Sequence, residues 1–431
     1  MLLLANMNKS SEFTRILFNT YTQFGSKFFS SLLSFSSLAM LTRYLGAEKY
    51  GWFTLVFTYV SFFTTIADIG YNQTIVREFS RDIQKSKLIF GTLFNFKLIL
   101  IGISIIAALL GLLFVPYHPD LKTAIIIGIV ALAISNLSSY GTSILQSQLR
   151  LDLVALLDLI VKGITVLFIA LFVRWNLSFY YSIYAILFGN LIGACIEYFY
   201  IKDWIVIGPY FDKKLIMKMI KISLPVGITA VLTMLYFKID TLMLSVIRSP
   251  VEVGIYALAY KILDNVIMLW GLIMASIFPL LSKYHGLNDS ILYKKLLSKT
   301  VRLSILLSAV ILITGLTLAP FIIRVLGGSK FYSSIAPLKI LLWAVPFLFL
   351  DNIFYNIMLS FGKTTYMIVP LITSLIVTVI LNILIIPKYG YMGASYVTVI
   401  TEVITAGTYL FLFMTKFKEE RNFLSMYGTK R

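Results

Sequence analysis

The 431-residue chain is 59% hydrophobic and only 13% charged, about half the charged share of an average soluble domain, which excludes a soluble globular enzyme. Its net charge is +18, yet the basic residues gather in short loops between apolar runs and form no arginine-rich stripe, which removes nucleic acid as a partner. The apolar runs are continuous, as over 98–115 and 303–323, so they are helices and not the short alternating strands of an outer-membrane barrel.

Twelve spans are predicted in chain order, at 16–42, 52–75, 88–115, 123–148, 153–173, 178–201, 222–247, 254–281, 303–323, 338–360, 366–386 and 394–415. Each is close to the roughly 20 residues that cross a bilayer as a helix. The opening MLLLAN is too short for a signal-peptide core, so the first apolar stretch is expected to be retained. With the N-terminus inside, the cytoplasmic loops hold Lys9, Arg15, Arg77, Arg81, Lys85, Lys87, Arg150, Lys202, the lysines of 213–221, those of 283–299 with Arg302, Lys363 and the basic tail. The outer loops hold Arg43, Lys49, Lys122, Arg174, Arg248, Arg324, Lys330 and Lys388. This asymmetry places both termini in the cytoplasm of a multi-pass cell-membrane protein.

The polar stretch 202–221 splits the spans six and six. The expected organisation is an N-terminal six-helix lobe (1–201), a cytoplasmic linker (202–221), a C-terminal six-helix lobe (222–415) and a basic tail (416–431). Within the linker, lysines alternate with Leu215, Ile216, Met219 and Ile220 at helical spacing, which suits an amphipathic helix on the inner surface. A weak repeat supports two halves: Arg43, Glu48 and Gly51 follow the first span as Arg248, Glu252 and Gly254 follow the seventh. Parallel repeats of this kind relate the lobes of several transporters around a central cavity.

Ionisable residues inside spans carry the functional signal. Lys27, Asp68, Lys97, Asp158, Lys162, Lys238, Asp240, Lys261, Asp264, Asp351 and Glu402 would each cost about 2.5–3.5 kcal/mol if exposed to lipid, so they should face a hydrated or protein-lined interior. Lys238 and Lys261 flank the outer hairpin at 248–254 and lie roughly 15–18 Å inward at 1.5 Å per residue. Lys27 and Lys162 reach a similar depth from the cytoplasmic side. With Lys97, these lysines can present a cationic site to phosphate or pyrophosphate. Asp158 with Lys162 and Lys261 with Asp264 stand at ion-pair spacing on one helix face, so internal pairing is the competing expectation. Asp68, Asp351 and Glu402 lack local cations and are candidates for a proton or sodium ion, or for a hydrogen bond to a neighbouring helix.

Other signals are fewer. Pro225, Pro279, Pro320, Pro346 and Pro370 sit in spans, where proline permits kinks. No P-loop, G-x-S-x-G or H-E-x-x-H motif is present. One cysteine, Cys195, and two distant histidines, His118 and His285, leave no metal cluster, and no cofactor is expected. A membrane glycan polymerase or acyltransferase would need large polar loops, which the short outer connections do not supply.

The string Arg43-Tyr44-Leu45-Gly46-Ala47-Glu48-Lys49-Tyr50-Gly51-Trp52-Phe53, followed by Ala67-Asp68-Ile69-Gly70, resembles the N-terminal signature of the polysaccharide transporter family, the O-antigen-type flippases. These form part of the multidrug/oligosaccharidyl-lipid/polysaccharide exporter superfamily. Pro225-Val226, Lys238-Ile239-Asp240, the run from Val253 to Lys261, and Tyr389-Gly390-Tyr391-Met392-Gly393-Ala394 leading to Thr401-Glu402 are similar to its later blocks. The resemblance implies an all-α fold of about twelve transmembrane helices in two six-helix lobes around a central cavity. It implies alternating-access transfer of a polyprenyl-diphosphate-linked oligosaccharide to the outer leaflet, coupled to H+ or Na+, with contact to the glycan polymerase machinery as a further expectation. Lys27, Lys238 and Lys261 would then contact pyrophosphate, and Asp240, Asp264 and Glu402 would balance or couple charge. Tyr236, Asn265 and Asn356 are candidates for glycan recognition. Lipid II flippases of the superfamily look like 14-helix proteins, which this chain departs from. A cation-coupled multidrug antiporter is the alternative from another class.

Overall fold

A computed structural model describes residues 2–79, 87–202 and 208–417. The basic loop around Arg81 and Lys85, part of the 202–221 linker, and the tail from 418 onward lie outside the described residues. The helices are α1 (Leu2–Asp68), α2 (Tyr71–Phe79), α3 (Lys87–Phe114), α4 (Pro119–Ser147), α5 (Leu151–Arg174), α6 (Tyr180–Ile201), α7 (Lys213–Ile247), α8 (Pro250–Gly286), α9 (Ser290–Gly327), α10 (Ile335–Leu341), α11 (Val345–Ser360) and α12 (Ile368–Lys416). Among the described residues there is no strand.

Among the described residues, ten helical stretches are long and apolar enough to cross a membrane. Two of them are bent pairs. Gly46 (φ 70°) breaks α1 and Gly390 (φ 55°) breaks α12, each in the left-handed region that glycine adopts without steric cost. Dividing these two stretches recovers the twelve predicted spans. Several helices overrun their predicted ends: α7 begins at Lys213 rather than 222, and α9 covers Ser290–Gly327 rather than 303–323. Hydropathy registers only the bilayer-facing part of a helix, whereas the backbone ladder continues into the basic, water-facing turns. Asp212 starts α7, its Oδ1 accepting from the N–H groups of Lys214 (2.9 Å) and Leu215 (3.1 Å). Asp289 does the same for α9, accepting from Leu292 N at 2.9 Å. Each carboxylate satisfies amides that a helix start leaves unpaired.

The segment from Lys213 to Lys221 differs from the expected surface helix. It is the start of the continuous α7. Met219 is fully buried, and Leu215, Ile216 and Ile220 pack on a cluster that includes Tyr71, Phe90, Phe94 and Tyr140.

The chain forms two compact units, Met1–Leu45 with Val56–Val231, and Gly46–Leu55 with Leu232–Arg431. In the first, the Ala67-Asp68-Ile69-Gly70 block seats against α7 beside Pro225. A Cβ at Gly70 would stand 2.8 Å from Ser223 O, and one at Gly227 would stand 2.6 Å from the Ile69 backbone. Ser223 Oγ also donates to Thr74 Oγ1 at 3.0 Å. In the second unit, Trp270 stacks on Phe349 with centroids 4.5 Å apart, and its Nε1 donates to Phe349 O. The polarity is inverted relative to a soluble protein: Ile106, Leu110, Leu113 and Phe114 are exposed on α3, while Lys97, Glu197, Asp240, Asp351 and Glu402 are buried. This distribution fits lipid outside and satisfied polar groups inside.

Candidate functional site

In the first unit, α3 carries Lys97 into a fully buried position. Its Nζ lies 3.8 Å from Asp68 Oδ1 and 5.5 Å from the centre of the Tyr71 ring, and makes no hydrogen bond. Asp68 therefore has a cation across the helix interface, which local sequence spacing did not supply. Asp158 and Lys162 on α5 pair at 3.0 Å, as their spacing predicts, and Ser30 Oγ of α1 donates to Asp158 Oδ2 at 2.6 Å. Lys27 stands exposed on the wall of a cavity between α1, α4, α5 and α6. The same cavity reaches Glu197 of α6, a buried carboxylate near the helix end that is not among the candidates drawn from the sequence.

In the second unit, Asp264 pairs with Lys238, Nζ to Oδ2 at 3.0 Å, rather than with Lys261 three residues before it. Lys238 Nζ also lies 5.1 Å from the Tyr260 ring centre, a cation–π arrangement that fixes it further. Lys261 is exposed, with no ion pair among the described residues, and its carbonyl accepts from Asn265 Nδ2 at 2.6 Å. Two cations expected to act together thus have different surroundings.

Asp240 is buried where α7, α8 and α12 meet. Its Oδ1 accepts from Asn382 Nδ2 at 2.6 Å, and its Oδ2 accepts from Thr398 Oγ1 at 2.9 Å and Tyr256 OH at 3.2 Å. Neither Asn382 nor Thr398 is ionisable, so neither carried a signal in the sequence. Asp351 and Glu402 lie next to each other in a second acidic site, and both Asp351 carboxyl oxygens and Glu402 Oε2 are buried without a hydrogen-bond partner. Tyr236 OH reaches Glu402 and lies 3.2 Å from Thr405 Oγ1. Two neighbouring buried carboxyls repel strongly when both are charged, and no cation pairs with either among the described residues. Chemically, such a site holds a proton or a small monovalent cation, because a buried charge needs a compensating partner. Among the glycan candidates, Tyr236 is thereby turned into the protein, and Asn356 bonds to Asn352 within its own helix.

The outer-hairpin motifs meet within the second unit. A Cβ on Gly254 would stand 1.9 Å from Ala47 O, and one on Gly51 would stand 2.0 Å from Pro250 O. Glu252 pairs with Arg248 at 2.9 Å and accepts from Tyr391 N at 3.1 Å. Blocks nearly 350 residues apart are thus held in one knot.

The sequence model of the polysaccharide biosynthesis protein family matches residues 16–285. The chain belongs to that family. A second family, MatE, matches residues 225–384, and both place this polysaccharide transporter in the multidrug/oligosaccharidyl-lipid/polysaccharide exporter superfamily. It is 21% identical over 381 residues to a Shigella flexneri protein named "Putative O-antigen transporter", covering 85% of this chain and 90% of that one. In fold it is similar to an inward-facing multidrug resistance transporter of the MATE family, with a TM-score of 0.76 at 13% identity over 93% of this chain and 96% of that one. It is also similar to the lipid II flippase MurJ in an inward closed conformation, with a TM-score of 0.72 at 17% identity over 94% and 90% of the two chains. The family member described here therefore has the two-lobe, all-helical transporter fold.

Proposed function

We propose that this protein is a flippase that moves a polyprenyl-diphosphate-linked oligosaccharide, a cell-surface polysaccharide repeat unit, from the inner to the outer leaflet of the cell membrane. Transfer occurs by alternating access, with both termini in the cytoplasm and an H+ or Na+ gradient as the driving force. One observation carries the reading: Lys27 and Lys261 lie within apolar spans yet are exposed, with no ion pair among the described residues. Lipid would penalise each by about 2.5–3.5 kcal/mol, so both serve a water-accessible surface, where a lysine binds diphosphate as a point charge. Lys162 and Lys238 are already neutralised by Asp158 and Asp264 and act as positioning cations. Lys97 is enclosed and acts on Asp68. The carboxyl sites at Asp240 and at Asp351 with Glu402 are the coupling candidates. Relatives named for O-antigen transport and lipid II flipping support this substrate class.

The test is export of surface polysaccharide in cells that depend on this protein. Lys27→Ala or Lys261→Ala should lower export more than tenfold with normal protein levels, while Lys261→Arg retains most of it because the charge stays. A Lys27/Lys261 double alanine variant that exports normally would overturn the site assignment. The cation-free Asp351 and Glu402 pair and the MatE match favour a second reading, an antiporter of organic cations, in which neither lysine matters.

A further inference from the structure

The first unit holds a cavity of about 530 Å3 bounded by α1, α4, α5 and α6, within the roughly 300–1,000 Å3 of small-molecule sites. Lys27, Ser138, Thr142, Asp158, Asn190 and Glu197 provide its polar wall. Among the described residues no aromatic side chain lines it, whereas sites for organic cations and drug-like molecules draw on aromatic faces. A wall of hydroxyl, amide and carboxylate groups instead matches a ligand rich in hydroxyls.

Glu197 is built into this wall. It is 2% exposed, accepts from Thr142 Oγ1 at 2.8 Å and from Ser138 Oγ, and has no ion pair among the described residues. Its side chain fits because position 141 is glycine: a Cβ there would stand 2.8 Å from the Glu197 carboxyl carbon. An ionised carboxylate offers about four acceptor sites, and two hydroxyls occupy two of them. The remaining two can accept from a pair of adjacent hydroxyls on a sugar ring. Asp158 is already engaged by Lys162 and Ser30, which among the described residues leaves Lys27 and Glu197 as the cavity's two charges without an ion pair, of opposite sign. A cation and a hydroxyl-binding carboxylate in one cavity fit a sugar joined to a phosphate.

We propose that this cavity is a saccharide subsite that receives a neutral pyranose of the lipid-linked glycan, with Glu197 accepting from two of its hydroxyls and Lys27 contacting the phosphate attached to that sugar. The assignment rests on the flippase reading and adds the chemistry that selects the sugar. A uronic acid at the same position would place its carboxylate against Glu197 and be rejected.

Binding to the full-length protein in nanodiscs separates the two levels. The probes are a short polyprenyl diphosphate without sugar, the same lipid bearing one N-acetylhexosamine, the same lipid bearing one hexuronic acid, and ethidium. The wild type should bind the neutral glycolipid about tenfold more tightly than the bare diphosphate, the size expected of hydrogen bonds to a charged group, and the uronic glycolipid no better than the bare lipid. Glu197→Gln should erase the preference for the neutral sugar, raise binding of the uronic one and leave the bare diphosphate unchanged. Thr142→Val should move the same ratio in the same direction. Equal wild-type binding of bare and sugar-bearing lipids would overturn the subsite and leave the flippase intact. Ethidium binding that Glu197→Gln abolishes, with no diphosphate bound by the wild type, would overturn both.

Discussion

Asp240 shows how much a single buried carboxyl holds. Asn382, Thr398 and Tyr256 all donate to it; in Asp240→Ala, Thr398 can still donate to Ala394 O and Tyr256 OH to Thr398 Oγ1, both at 3.0 Å, so Asn382 Nδ2 is the donor left stranded, at about 1–3 kcal/mol. We expect Asp240→Ala to lower stability in detergent by about 1–3 kcal/mol and Asp240→Asn by clearly less, since the amide keeps one acceptor oxygen. Thermal unfolding of the purified variants measures this, and an alanine variant as stable as the asparagine one would deny the cluster its role. Lys97 gives the opposite expectation. Its partner Asp68 is 35% exposed and can be hydrated without it, so Lys97→Met should change stability by less than about 1 kcal/mol. The same variant should bind a bare polyprenyl diphosphate like the wild type, because an enclosed ammonium does not reach it. Local spacing revealed Asp158 with Lys162, since both lie on one helix face. The pairs Asp68 with Lys97 and Lys238 with Asp264 were hidden, because spacing within one helix carries no information about which helix lies alongside.

The glycine hairpins carry the argument at the level of elements. Gly51 and Gly254 let two outer turns cross at backbone contact, Gly254 lying against Ala47 O with no room for a methyl group. Gly254→Ala should therefore cost about 1–3 kcal/mol or more as the turns separate, whereas Gly271→Ala, with nothing within 4 Å of its Cβ, should be neutral or slightly stabilising. Equal melting temperatures for these two variants would contradict the packing. The sequence repeat around Gly51 and Gly254 was legible as a pattern, but not as a contact. Helix extents were legible only where lipid demands apolar side chains. The basic first turns of α7 and α9 follow a water-facing backbone, to which hydropathy is blind. The cavity between α1, α4, α5 and α6 was invisible for a related reason: serine, threonine and asparagine in a span look unremarkable until several helices bring them to one wall.

Across the whole chain, hydropathy and charge asymmetry define an all-helical membrane protein, and the family match over residues 16–285 agrees with the motifs read from the sequence. Two kinds of charge then divide the labour. In the proposed function, lysines left exposed within the spans would hold an anionic head group, and buried carboxyls without cations would respond to an ion gradient. The most direct measurement is transfer itself. Purified protein is reconstituted into liposomes, a short polyprenyl-diphosphate oligosaccharide is confined to one leaflet, and a non-permeant glycosidase reports its arrival at the other. Arrival should require the protein, accelerate under an imposed proton or sodium gradient, and fall more than tenfold with Lys27→Ala or Lys261→Ala. No protein-dependent arrival with several glycans, alongside gradient-driven uptake of a fluorescent organic cation, would contradict the flippase and place the chain among the exporters of cations.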